Sequence, residues 1–222
     1  MDQILFLTTI LFPALLYGTV ITLQLIAATA PFGLLLGIGL AIGRTYGSKI
    51  VVEFCKGYTI FFKGCPLLLL LFILYFGFPS IGITFSAFTA SVIGFICCNS
   101  AYNSEYIRGA MLSVQQGQLI AAKALGMTKR QAIINIVLPQ ALRRAIPGIS
   151  NEFIYLIKYS SLAYVITVIE LTGAAKLVAS KYFMFTETFI VVALFYLAMV
   201  TIATIGINAL ERRFAVPGLM KQ

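Results

Sequence analysis

The chain has 222 residues, of which 60% are hydrophobic and only 10% charged. Soluble domains carry roughly a quarter charged residues, so this chain lacks the polar surface to coat a globule in water. The net charge of +9 and mean hydropathy of +0.99 fit a bilayer protein with its lysines and arginines gathered on one side, and argue against a nucleic-acid binder.

The apolar runs are about 20 residues long and do not alternate strictly, which is the pattern of spanning helices and not of barrel strands. Met1-Asp2-Gln3 lacks the positive start of a cleaved signal peptide. The first expected span runs from about Leu15 to Ile42. It carries Thr19 and Thr22, then Pro31, which is expected to kink it. Gly33 to Gly37 and Gly39 to Gly43 both have the G-x-x-x-G spacing that lets helix backbones approach closely.

The second span is expected from Thr59 to Phe78, the third from Thr84 to Asn103, the fourth from Gly148 to Val168 and the fifth from Thr188 to Ala209. The whole chain, residues 1–222, reads as one all-α polytopic membrane domain with five transmembrane helices. Cys55, Cys65, Cys97 and Cys98 lie in or beside apolar runs, the chain has no histidine, and no metal-ligand spacing occurs. They read as small buried hydrophobes.

Charge orients the spans. Arg44, Lys49, Lys56 and Lys63 follow the first. Arg108, Lys123, Lys129, Arg130, Arg143 and Arg144 lie between the third and fourth, and Arg212, Arg213 and Lys221 follow the fifth. Only Lys176 and Lys181 fall on the other side. This asymmetry places the N-terminus outside and the C-terminus in the cytoplasm. The long connection from about 104 to 147 is then cytoplasmic.

That connection is too organised for a slack linker. Ser113 and Gln116 fit a capping box, with a short helix expected to run to Leu125 and Gly126 as its left-handed cap. Thr128 and Gln131 fit a second box, and Pro139 is expected to end or bend the helix that follows. The turn presents Ala121, Ala122 and Ala124, small enough for another surface to come close. Physical chemistry alone leaves two readings open: an amphipathic segment resting on the bilayer, or a docking surface for a protein.

Polar residues inside spans are costly and normally face protein or a water-filled path. In the fourth span Glu152, Tyr155 and Tyr159 share one helical face, and Lys158 and Ser161 another. In the third, Asn99, Tyr102 and Asn103 share a face. Glu152 is either a partner for Arg143 or Arg144, or part of a path. Lys158 could hold Glu170 or a substrate carboxylate. No G-x-x-x-x-G-K-[ST] loop occurs, so ATP must be bound elsewhere if it drives this protein. No nucleophile–base pair or metal cluster argues for catalysis, and no cofactor site is assigned.

The run "GQLIAAKALGMTKRQAIINIVLPQALRRAIP" resembles the cytoplasmic loop of ATP-binding-cassette importer permeases. Ala121-Ala122, Gly126 and Ile136-Val137-Leu138-Pro139 carry the likeness. "GTVITLQL", "FFKGCPLLLLLF", "NSAYNSEYIRGAMLSVQQGQ", "NEFIYLIKYSSLAYVITVIEL" and "ALFYLAMVTIATIGINALERRF" look like the family's polar amino acid uptake group, of glutamine, histidine and arginine type. There are departures: Ile120 stands where the family has Glu, Lys63 where it has Arg, Cys65 where it has Thr, and Tyr159 where it has Asp.

The resemblance implies a permease that docks on an ATPase through Gln118, Ile120, Ala121, Ala122, Ala124, Leu125, Gly126 and Met127. ATP and magnesium would be bound by that partner. Two permeases, alike or paralogous, would pair, and an external solute-binding protein would deliver an amino acid across the bacterial inner membrane. Candidates for lining its path are Glu152, Asn99, Tyr102, Lys158, Ser161, Thr19 and Thr22. The alternatives are a stand-alone secondary transporter or channel, and a membrane anchor for another complex.

Overall fold

In the computed structural model, which describes residues 3–114 and 116–214, all regular structure among the described residues is helical. In chain order the α-helices are α1 (Gln3–Phe6), α2 (Phe12–Tyr46), α3 (Lys49–Gly64), α4 (Leu67–Phe72) and α5 (Ala87–Ser113). They are followed by α6 (Gln116–Ala124), α7 (Lys129–Ala132), α8 (Leu138–Tyr159), α9 (Leu171–Tyr182) and α10 (Phe185–Phe214).

Prolines write a recurrent local feature. Among the described residues, π-turns at Leu7–Leu11, Ile73–Gly77 and Ile133–Val137 each end two residues before a proline: Pro13, Pro79 and Pro139. A helical proline cannot donate a hydrogen bond, and its ring collides with the carbonyl four residues back. The residue before each proline instead bonds five residues back, Phe12 to Leu7, Phe78 to Ile73 and Leu138 to Ile133. The widened turn makes room for the ring. Pro139 therefore does not end its helix: Lys129 to Ile166 is one helical stretch.

Ile4–Tyr46 and Phe185–Arg213 are each long and apolar enough to cross a membrane. Two broken pairs, Lys49–Gly64 with Leu67–Ile81 and Lys129–Ile166 with Leu171–Tyr182, raise the number of candidate spans to four at most. The expected second span, Thr59 to Phe78, is thus not one straight helix. Pro66 caps α4 with extended geometry at φ −57°, ψ 128°, and the chain restarts there. The first span is unbroken through Pro31.

The described residues fall into two units. One draws on Met1–Phe32, Cys65–Cys97 and Phe153–Thr204. Its core sets Phe6, Leu11 and Leu15 against Leu171, Ala175, Val178 and Val192. Gly18 lets α2 approach α9, since a β-carbon there would sit 2.8 Å from Leu171 Cα. Glu170 caps α9: its carboxylate accepts the Thr172 and Gly173 N–H groups at 2.9 Å and the Tyr196 hydroxyl at 3.0 Å.

The other unit draws on Gly33–Gly64, Cys98–Glu152 and residues from Ile205 onward. Its core gathers Ala41, Ile107, Met111, Val114, Val137 and Ala141. Glu105 binds Arg44 at 2.6 Å and Arg108 at 3.0 Å, with Lys63 at 3.9 Å. The expected capping box at Ser113 is corrected. Ser113 closes α5, donating to Ala110 O at 2.7 Å and accepting from Arg144 at 3.0 Å. Gln115 and the Gln116 side chain, the rest of that box, lie outside the described residues.

Candidate functional site

Two constellations, both in the second unit, have geometry suited to function. The first is the segment from α6 to α7. Gly126 adopts φ +82°, the left-handed conformation that glycine accepts without a β-carbon penalty. Around it Gly126 N–H donates to Lys123 O at 2.9 Å and Met127 N–H to Ala122 O at 3.1 Å. This pair of bonds is a Schellman cap, which satisfies carbonyls the helix end would leave open. Two residues on, Thr128 Oγ1 accepts the Gln131 N–H at 3.3 Å, and Gln131 Oε1 accepts the Thr128 N–H at 2.9 Å. The second expected capping box is therefore present. Lys129 ties the segment back, donating to Tyr46 O at 3.1 Å.

Back-to-back caps fix the direction of the chain on both sides of Gly126. They hold out a small apolar knob: Ile120 is 66% exposed and Leu125 82%. Gln118, Ala121, Ala124 and Gly126 are also exposed, and Met127 is half-buried. Ala122 does not belong to that surface. It is 4% exposed, because its side of α6 faces inward.

The second constellation is a polar line between α5 and α8. Asn103 Nδ2 donates to Asn99 Oδ1 at 2.8 Å, and Asn99 Nδ2 donates to Glu152 Oε1 at 3.3 Å. All three residues are at most 3% exposed. Glycines make the room: a β-carbon on Gly33 would collide with Asn99 Oδ1, and one on Gly37 would sit 2.8 Å from Asn103 Cβ. Asn103 Oδ1 is buried with no hydrogen-bond partner. The line thus ends in an acceptor at one side and a carboxylate at the other.

Other expected path residues lie elsewhere. Tyr102 is on the α5 surface, its ring 5.5 Å from Lys63 Nζ. In the first unit Thr19 bonds back to Leu15 O at 2.7 Å, and Thr22 accepts the Leu171 N–H at 3.1 Å. Ser161 donates to Lys158 O at 2.7 Å. Lys158 Nζ lies 5.4 Å from the Tyr155 ring centroid, and no ion pair with Glu170 occurs among the described residues. Glu170 is spent on the α9 cap. Arg144 is turned to Ser113; it donates to Ser113 O at 2.6 Å. Sequence reasoning did not single out Glu105 as the hub of Arg44, Lys63 and Arg108. The signal was available as a lone acid among bases that end three apolar runs.

Residues 33–216 match the family described as binding-protein-dependent transport system inner membrane component. The chain belongs to this family. The permease is 40% identical to the probable amino-acid ABC transporter permease protein YckA of Bacillus subtilis, covering 92% of this chain and 90% of that one. It is 37% identical to the probable glutamine ABC transporter permease protein GlnM of the same organism, over 80% and 82% of the two chains. A solved amino acid ABC transporter, crystallised with histidines, superposes with a TM-score of 0.83 at 32% identity, covering 90% of the permease and 94% of that chain. The MetNI methionine ABC transporter in an inward-facing form shares the fold at a TM-score of 0.77 and 16% identity, over 93% and 98%. The permease is a transport component with the ABC permease fold, and the stand-alone transporter and anchor readings give way.

Proposed function

We propose that this permease is the membrane-spanning subunit of an ATP-driven amino acid importer of the bacterial inner membrane. The observation that carries the reading is the doubly capped knob of Ile120, Leu125 and Gly126, an apolar and rigid projection on an otherwise basic segment. The names of its relatives support the substrate class. In this reading α5, 27 residues long, adds a fifth crossing to the four candidate spans, which puts the N-terminus outside and the C-terminus in the cytoplasm, so the knob faces the ATPase. Gln118, Ile120, Ala121, Ala124, Leu125, Gly126 and Met127 meet a groove on that ATPase, with Ala122 supporting them from behind.

ATP and magnesium are bound by the partner, which lies outside this chain's chemistry. Two permeases pair, and a solute-binding protein delivers substrate from outside. ATP-driven closure of the ATPases swings the helices as rigid bodies between inward-open and outward-open forms. In the path, Glu152 with Asn99 and Asn103 supplies acceptors for the substrate ammonium. Tyr102, Lys158, Ser161, Thr19 and Thr22 are further lining candidates.

The test is ATPase activity of the reconstituted complex with its solute-binding protein, screened over amino acids. Stimulation by one or a few of them is the expected result. A complex that assembles and hydrolyses ATP but responds to no amino acid overturns the substrate class.

A further inference from the structure

Helix α3 is inside-out for a helix in water. The side packed on the protein carries hydroxyls: Tyr58 hydrogen-bonds Ser100 at 2.9 Å, and Thr59, buried, donates to Cys55 O at 2.8 Å and lies 3.4 Å from Ser104 Oγ. Cys55 sits against Gly43, where an added β-carbon would lie 2.8 Å from its sulfur. The outer side carries large hydrophobes. Ile50 is 83% exposed, Phe54 69% and Phe61 58%.

At 100° per residue, Ile50, Phe54 and Phe61 fall within about 40° of one another on one edge of the exposed arc. Lys49, Lys56 and Lys63 recur every seven residues, which drifts only about 20° per repeat, so they line the other edge. Four charged side chains in a 16-residue helix exclude it from the hydrocarbon core. Three exposed large hydrophobes on one stripe exclude that stripe from water. The boundary between the two media satisfies both, with lysine stems reaching up to the headgroups. A second copy of the chain would fit the surface poorly, since pairing the exposed arcs face to face brings lysine stripes together. Glu53, 4.0 Å from Lys56, offsets part of the charge, and the helix keeps a positive balance.

We propose that α3 is a bilayer-interface helix that inserts Ile50, Phe54 and Phe61 among acyl chains and binds anionic phospholipid headgroups through Lys49 and Lys56. Such binding anchors the unit that also carries the α6–α7 knob and the Asn99–Glu152 line, and it makes the permease selective for its lipid surroundings.

The chain contains no tryptophan, so Phe54→Trp places a single, selectively excited indole on the exposed edge. The full chain is reconstituted in nanodiscs of phosphatidylcholine and phosphatidylglycerol, with brominated acyl chains on one lipid or the other. Both should quench the fluorophore, and brominated phosphatidylglycerol should quench more at equal mole fraction. A lysine near an anionic surface favours it by about fivefold, so Lys49→Gln with Lys56→Gln should cut the preference at least that much. Lys49→Arg with Lys56→Arg should keep it. Lys63 stays unaltered because it faces Glu105. Absence of quenching from either lipid, because water or a protein covers position 54, overturns the insertion. Equal quenching with the lysines in place, or a preference that survives the glutamine pair, overturns the headgroup site. Phosphatidylglycerol retained by the chain without the tryptophan substitution, counted by native mass spectrometry against the glutamine pair, reads the same preference independently.

Discussion

Gly33 of α2 and Asn99 of α5 occupy one space: a β-carbon on Gly33 would collide with the Asn99 carboxamide oxygen and lie 2.9 Å from its Cγ. Gly37 stands in the same relation to Asn103. Neither asparagine can move aside without cost, because Asn103 holds Asn99 and Asn99 holds Glu152. Gly33→Ala should therefore destabilise the purified permease by about 1–3 kcal/mol, the usual cost of overpacking. Gly39→Ala meets nothing within 4 Å. It should be neutral or stabilising by up to about 1 kcal/mol, from helix propensity alone. Melting curves of the two variants in the same detergent check this. Equal shifts would show that close approach is not what the first G-x-x-x-G encodes.

Glu105 is the shared partner of three cations that converge from α2, α3 and α5. Glu105→Gln leaves Arg44, Arg108 and Lys63 facing one another. The side chains are 18–35% exposed, so solvent screens the repulsion. The loss should be about 1–3 kcal/mol, below that for a fully buried pair. High salt should recover part of it, since screening shortens to about 3 Å at 1 M. A melting temperature that does not respond to salt would mean that the destabilisation is not a charge effect.

The parts legible in the sequence were those written by local chemistry. Gly126 and Thr128–Gln131 specify their caps through neighbours within a few residues, and both appear as expected. The prolines were half-legible. Their inability to donate is a local fact, but the π-turn that accommodates Pro139 and lets the helix continue depends on five residues rearranging together. Ser113 misled because a serine can close one helix as readily as open the next, and here its hydroxyl bonds back to Ala110. Tertiary relationships were least visible. Nothing in the run around Gly33 says that Asn99 fills the space beside it, and nothing around Glu170 says that Tyr196, 26 residues on, donates to its carboxylate.

The knob offers a direct test of coupling. Leu125→Asp puts a charge on a side chain that is 82% exposed, so it should leave insertion and melting unchanged. It should still abolish co-purification with the ATPase, because docking would bury an unpaired carboxylate. Gly126→Asp adds strain at φ +82° and should do the same with a small loss of stability, on the order of 1 kcal/mol. Ile120→Glu restores the family's carboxylate at an exposed site. If the groove has become apolar to match Ile120, this change weakens docking. Pull-down with the ATPase subunit ranks the three, and retained binding by Leu125→Asp would remove the knob from the interface.

Glu152→Gln separates a structural role from a transport role, because the two predict opposite outcomes. The amide oxygen still accepts from Asn99 Nδ2, and a neutral amide costs less to bury than a carboxylate. The fold should therefore be unchanged or slightly more stable. If Glu152 only braces α8 against α5, uptake should be unchanged as well. If it receives the substrate ammonium, uptake should fall several-fold in correctly inserted protein, and most for cationic substrates, which lose a charge-assisted bond. Asn103→Leu should give a parallel loss, because it removes the buried acceptor at the other end of the line. Uptake kinetics in proteoliposomes, with melting measured on the same preparations, decide between the two roles. A several-fold fall in uptake at unchanged melting temperature places the Asn103–Asn99–Glu152 line in the path, whereas unchanged uptake takes it out.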